Sequence, residues 1–191
     1  IEWGEKQGFH RRPTCRARAE WYELPELEEA RIFPPMSWMD VIYIPVSKEP
    51  YVCDARLYAL YPRKDKLENT IACYLNSTLF YLTVELYCRR LGGGATDIKV
   101  EDYEEMPVPD LSRMSINFDL NHLFQREPLK YAEEVKQQDR KELDRAVLLA
   151  LGFPQEKVEQ LLDELYRAFC EVVEDRLIKA KEPTGIPIWQ E

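Results

Sequence analysis

The side chains with most chemistry to offer lie near the start of the chain. His10, Arg11, Arg12, Arg16 and Arg18 fall within nine positions in GFHRRPTCRARAEWYELPE, beside Trp21 and Tyr22. Guanidinium forks grip phosphates bidentately and read guanine edges, while aromatic rings stack on bases or pack beneath a guanidinium. Two readings of this cluster stand. It is a local nucleic-acid patch, or its arginines pair with Glu20, Glu23, Glu26, Glu28 and Glu29, which follow on the same stretch.

Other constellations offer less. Gly92-Gly93-Gly94 lacks the Lys-Ser/Thr of a phosphate-binding loop and ends a helical pattern where that motif begins one. His10 and His122 are too few for a multi-histidine metal site, and no Cys or His pair has ligand spacing. Ser77 sits inside an apolar run, not on a strand-to-helix elbow that would present a nucleophile. Pro109-Asp110, with Glu134-Val135-Lys136 downstream, spells a metal-dependent nuclease site loosely. That chemistry needs two carboxylates on Mg²⁺ and a lysine near the attacking water, with the Glu-x-Lys on a strand so that alternate residues share a face. Here KYAEEVKQQDRK reads as helical or solvated, and an ordinary charged surface is the better account. Asp97, Glu101, Asp102, Glu104 and Glu105 read as a solvated helix start, not a cation site.

The elements that must position these groups are bounded by composition. A chain of 191 residues with 45% hydrophobic content is one domain, or one domain with a helical appendage, and holds a core without disulfides. A net charge of -9 excludes a uniformly basic shell, so any nucleic-acid contact is local. Five cysteines, odd in number and with no CxxC pair, read as reduced thiols in a cytoplasmic protein. The apolar stretch from Ile71 to Leu86 is interrupted by Asn76, Ser77, Thr78, Thr83 and Glu85, and falls short of the ~18 apolar residues of a membrane span. The opening IEWGEKQGFHRR has neither an initiator Met nor a cleavable leader, as expected of a fragment of something longer.

Residues 1–63 are irregular and β-leaning. Alternation over Asp40–Pro45 and Ala55–Tyr61, among many prolines, predicts short strands joined by stiff turns. From Lys66 to Leu91, apolar residues at helical spacing predict one long, largely buried helix, stopped by Gly92 to Gly94. Ile98 to Val100 reads as a short strand, and EDYEEMPVPD as a helical turn closed by Pro107 and Pro109. Residues 111–138 give a weak signal, with a helix near Leu120 to Phe124 and a linker through Pro128. Asp139 caps a helix that Gly152-Phe153-Pro154 ends, and a second helix runs to Lys179, forming an antiparallel hairpin. The expected architecture is α+β: a small mixed or antiparallel sheet around a long buried helix (1–110), an irregular segment (111–138), and a helical hairpin with its tail (139–191).

The segment LNSTLFYLTVELYCRRLGGGATDIKVEDYEEMPVPD resembles part of the target recognition domain of adenine-specific DNA methyltransferases from restriction–modification systems. These are the type IIG and TaqI-like enzymes, together with type I specificity subunits. In that family a helix opening with Leu-Asn-Ser/Thr runs into a glycine-rich turn, a short strand and an acidic helix ending at Pro-x-Pro. Leu75-Asn76-Ser77, Gly92 to Gly94, Ile98 to Val100 and Pro107-Val108-Pro109 match in order. Upstream, RRPTCRARAEWYELPE, ARIFPP and YVCDARLYALYP are similar to the family's Arg-rich, Trp-Tyr segment and the strands after it. Downstream, KELDRAVLLALGFPQEKVEQLLDELYRAF is similar to its helical tail, so the likeness spans about Arg11 to Lys179.

The resemblance implies a reader of double-stranded DNA. It would clamp the duplex against a separate catalytic domain, which flips an adenine and methylates its amine with S-adenosylmethionine. No Asn/Asp-Pro-Pro-Tyr/Phe motif and no glycine-rich cofactor turn occur here, so neither cofactor binding nor methyl transfer is expected of this chain alone. By position the resemblance assigns DNA contacts to Arg11, Arg12, Arg16 and Arg18, with Tyr22 and Lys99 beside them. Gly92, Gly93 and Gly94 either approach the DNA backbone closely or serve only as a helix stop. The alternative of a different class is a protein-interaction module in which the helices from Asp139 to Lys179 dock another subunit. A metal-dependent nuclease at Asp110 and Glu134 is the third.

Overall fold

The computed structural model describes residues 1–23, 26–53, 55–91 and 93–181. Two short helices open the chain, α1 (Glu2–Lys6) and α2 (Pro13–Arg16), with a 3-10 turn at Phe9–Arg11 between them. Two small antiparallel sheets follow. In one, β1 (Ala30–Ile32) pairs with β3 (Val46–Tyr51). In the other, β5 (Thr96–Asp97) lies between β2 (Ser37–Trp38) and β4 (Arg89–Arg90). The α+β class, the antiparallel pairing and the C-terminal hairpin are as the sequence predicts.

The predicted helix over Lys66–Leu91 is present as two segments, α3 (Glu68–Leu75) and α4 (Thr78–Tyr87). The break falls at Asn76-Ser77. Ser77 is extended, and its hydroxyl accepts from the Phe80 N–H at 3.2 Å, which makes it the N-cap of α4. Asn76 is buried and fully bonded. Its Nδ2 donates to the Ile44 and Ala72 carbonyls, and its Oδ1 accepts from the Ile44 N–H and the Tyr81 hydroxyl. That one amide satisfies both backbone groups of Ile44. The Asp40–Pro45 segment is therefore extended, with Ile42 and Ile44 turned into the core, without belonging to a named strand.

Two further expectations shift. The strand expected at Ile98–Val100 lies two residues earlier, because Lys99 is the N-cap of α5 (Val100–Glu105) and Val100 is its first residue. The Ala55–Tyr61 segment makes only isolated bridges, Leu57 to Pro35 and Leu60 to Ile32. Between residues 111 and 138 the chain forms 3-10 turns at Leu111–Arg113 and Leu123–Gln125 and the short α6 (Tyr131–Glu134).

Helices α7 (Gln138–Ala150) and α8 (Gln155–Lys179) turn about Gly152, whose φ of 91° suits a residue without Cβ. In α8, Val158, Leu162, Leu165, Phe169, Val173 and Arg176 recur at three- and four-residue intervals and form one buried stripe. Phe169 and Val173 join Leu143, Val147, Tyr81, Val84, Ile32 and Ile44 in one core, so the hairpin closes over α4.

Two buried cations hold that closure. Arg176 from α8 donates to both Glu85 oxygens at 2.8 and 3.0 Å, and also to the carbonyls of Met39 and Gly94. Glu85 accepts as well from Trp38 Nε1 at 2.8 Å and Thr96 Oγ1 at 3.2 Å, so one ion pair ties α8 to α4, β2, β5 and the glycine turn. Arg140 from α7 reaches Glu134 and the Asn76 carbonyl beside the Tyr81 ring. Asp144 completes the α4 N-terminus, accepting from the Thr78 N–H and hydroxyl at 2.7 and 2.6 Å and from Tyr166 at 3.1 Å.

Candidate nucleic-acid interface

Residues 1–23 fold locally around Trp21. A Cβ on Gly4 would lie 2.4 Å from the Trp21 ring, so the absence of a side chain there lets the indole seat against α1. Trp3 meets Phe9 edge-on at 5.4 Å, and Trp21 meets Tyr22 in the same way at 5.9 Å. From Gly8 to Ala19 this segment contains four arginines and no acid.

The four arginines are exposed, and none of them pairs with a carboxylate among the described residues. Arg12 lies over the Phe9 ring at 4.4 Å. Arg11 Nε faces His10 Nε2 at 3.3 Å, and Arg18 donates to the Glu23 carbonyl at 2.9 Å. The acids that follow, from Glu20 to Glu29, therefore do not neutralise the cluster by direct contact. Tyr22 is 46% exposed, and the charge of Glu20 chiefly raises its hydroxyl above the usual phenol range.

The remaining candidates stand apart from this segment, with no hydrogen bond, ion pair or ring contact joining them to it among the described residues. The Lys99 N–H donates to Asp102 at 2.8 Å, and its side chain is exposed and forms no ion pair there. Gly93 has φ of 83° and open space where a Cβ would stand. Gly94 is buried: a Cβ would lie 3.0 Å from Ala180 and 3.3 Å from Leu177, and its carbonyl accepts from Arg176. Packing against α8 thus accounts for Gly94, whereas Gly93 is open to solvent. Gly92 lies outside the described residues.

The nuclease arrangement does not assemble. Glu134 is on a helix, buried, with both oxygens taken by Arg126 at 2.8 and 2.9 Å and one also by Arg140 at 3.1 Å. Asp110 is exposed and engaged by Arg113 and Ser112, and Lys136 pairs with Glu133. Among the described residues no group of three His, Cys, Asp or Glu side chains is placed to hold a metal ion. Gly93-Gly94 joins β4 to β5, strand to strand, where a glycine-rich dinucleotide turn joins a strand to a helix. A cavity lined by Arg31, Lys48, Asn69, Asp119 and Phe124 holds about 150 Å³.

The sequence reading missed the buried positioning groups Arg140, Asp144 and Arg176, which carry charge on helix faces that look solvated, and Glu85, which it took only as an interruption of an apolar run. It also passed over Arg63, Lys64 and Lys66, three exposed cations in four positions ahead of α3. No described helix is long and apolar enough to cross a membrane.

A family model described as the C-terminal domain of the type II methyltransferase M.Eco57I matches residues 1–148, which include the arginine segment, both sheets and most of α7. Comparison with curated proteins and with solved structures gives no match. The matched region is more than half of the chain, which therefore belongs to the family of type II methyltransferase C-terminal domains typified by M.Eco57I.

Proposed function

We propose that this domain reads the DNA target of an adenine-specific methyltransferase in a restriction–modification system, in the manner of type IIG and TaqI-like specificity domains. The observation that carries the reading is the arginine segment: Arg11, Arg12, Arg16 and Arg18 are exposed, adjacent, and without a carboxylate partner among the described residues. In an acidic chain such a segment keeps its charge for an external anion, and double-stranded DNA supplies a dense row of them. Phosphate contacts from these arginines position the domain, while Tyr22 beside them, and Lys99 and the open backbone at Gly93 away from them, are the candidates for base reading.

Methyl transfer belongs in this reading to a partner catalytic domain that holds S-adenosylmethionine. The domain described here contributes orientation: the core closed by α8 fixes the β2–β5–β4 sheet and the turn beside Lys99, so that the recognition surface is rigid before DNA arrives.

The test is replacement of Arg11, Arg12, Arg16 and Arg18 by alanine, followed by duplex-binding titrations over a series of salt concentrations. Each lost phosphate contact lowers the slope of log K against log salt by about 0.9. A loss of about 3 to 4 in slope is expected if all four contact phosphates. Unchanged affinity and slope would remove this segment from the interface.

A further inference from the structure

We infer that Arg63, Lys64 and Lys66 form a second phosphate-binding element, which extends the domain's contact with the DNA backbone beyond the arginine segment; this inference rests on the proposed DNA-reading role. All three side chains are exposed, and none forms an ion pair among the described residues. Asp65 is the one acid within the group. The next acid, Glu68, is already neutralised by Arg31 at 3.1 Å, so it does not draw these cations down.

Most arginines from residue 31 onward are treated differently by the fold. They reach carboxylates, as in Arg90 with Asp175, Arg145 with Glu159 and Arg126 with Asp139. Arg167, which is exposed and has no such contact among the described residues, stands among Asp163, Glu164 and Glu171 at helical spacing on α8. Arg63 is instead followed by Lys64 and Lys66, with Asp65 between them. A loop that carries a local positive charge in a chain of net charge -9 presents that charge outward.

Chain connectivity limits how far this loop stands from the Arg18 end of the first cluster. Arg18 donates to the Glu23 carbonyl at 2.9 Å, and the Tyr61 hydroxyl donates to the Glu28 carbonyl at 3.0 Å. Five residue steps separate those two carbonyl carriers, which caps their separation at about 18 Å even for a fully extended chain. Arg63 follows Tyr61 by two residues. Arg18 and Tyr61 are therefore each hydrogen-bonded to residues no farther apart than that. A duplex offers a phosphate about every 1.7 Å along its axis, so both groups find partners on the same molecule without demanding a fixed register. Flexible lysines beside a single arginine suit this undirected role, whereas the bidentate forks of Arg11 to Arg18 suit directed contacts.

The experiment uses the full chain with Arg63→Ala, Lys64→Ala and Lys66→Ala combined, beside a Lys157→Ala/Lys179→Ala control that removes two exposed lysines from the hairpin. Duplex binding is titrated over a series of salt concentrations, with thermal melting to check folding. The slope of log K against log salt is expected to fall by about 2 to 3 in the triple variant and to stay at the unsubstituted value in the control. An unchanged slope in the triple variant, with a reduced slope in the Arg11 to Arg18 variant, would overturn the second element and leave the DNA-reading role standing. An equal loss in the hairpin control would also overturn it, since the effect would then be net charge and not a site. Absence of duplex binding by the unsubstituted chain would overturn the DNA-reading role, and this inference with it.

Discussion

Replacing Arg176 by methionine should cost the fold more than any surface change. The guanidinium is 1% exposed and its partner Glu85 0% exposed. Without it the Glu85 carboxylate keeps only the Trp38 and Thr96 donors, and the Met39 and Gly94 carbonyls lose the Arg176 donor. Stripping one partner from a buried ion pair costs about 3 to 5 kcal/mol, and each buried carbonyl left unpaired adds about 1 kcal/mol or more. A total near 5 kcal/mol is therefore expected, against whole-domain stabilities of about 5 to 15 kcal/mol. For a chain of this size each kcal/mol shifts the midpoint by about 2 to 4 °C, so Tm should fall by at least 10 °C or so. Urea unfolding and thermal melting would measure both. The double variant Arg176→Met/Glu85→Met removes the buried charge altogether and should recover at least half of the loss. A single variant within about 1 kcal/mol of the unsubstituted domain, or a double variant no better than the single, would refute the view that this pair carries the closure of α8.

Acid should act through Glu134. Burial raises its carboxyl pKa, but the Arg126 hydrogen bonds and the Arg140 charge outweigh that and hold it below the ordinary 4.5. A depressed folded pKa contributes stability that is present above the unfolded value and lost as pH falls through the folded one. Stability should thus decline as pH drops below about 4.5, and Glu134→Gln should flatten that decline in urea titrations at stepped pH; an identical acid limb in the variant would contradict this. Burial pushes the Cys73 and Cys88 thiols up to about 12. A thiol reagent at mildly alkaline pH should therefore label Cys15 and Cys53 first and reach Cys73 and Cys88 only on unfolding, as peptide mapping would show. Gly94→Ala should destabilise by about 2 kcal/mol or more, since a positive φ and the Ala180 contact combine, while Gly93→Ala meets only the backbone cost of about 1 kcal/mol; equal melting shifts would contradict the packing role of Gly94.

The sequence disclosed what depends on local pattern. The stripe from Val158 to Val173, the stop at Gly152 and the strongly apolar run around Tyr81 all follow from spacing and turn chemistry. What it concealed depends on distant partners. Helical spacing continues through Asn76-Ser77 because both α3 and α4 are buried, while the break is set by Ile44, Asp144 and Arg140, each more than 30 positions away in the chain. The Asn-Ser-Thr triplet inside an apolar run was the available signal, since such residues cap helices more readily than they continue them. The alternation at Asp40–Pro45 correctly marked a half-buried extended segment, but a side-chain amide took the place of a neighbouring strand. Arg140 and Arg176 were illegible because a charged residue on an amphipathic helix ordinarily faces water. Of the candidate site, the arginine segment could be read directly; whether its charges were free depended on rotamers and on the path of residues 20–29.

The most direct test of the DNA-reading role is selection of this domain against a pool of randomised duplexes at two salt concentrations, with the retained sequences read out. The account predicts enrichment of one short motif, with retention that weakens at the higher salt and is lost when Arg11, Arg12, Arg16 and Arg18 are replaced by alanine. No retained duplex at low salt, or retention with no enriched motif, would contradict it.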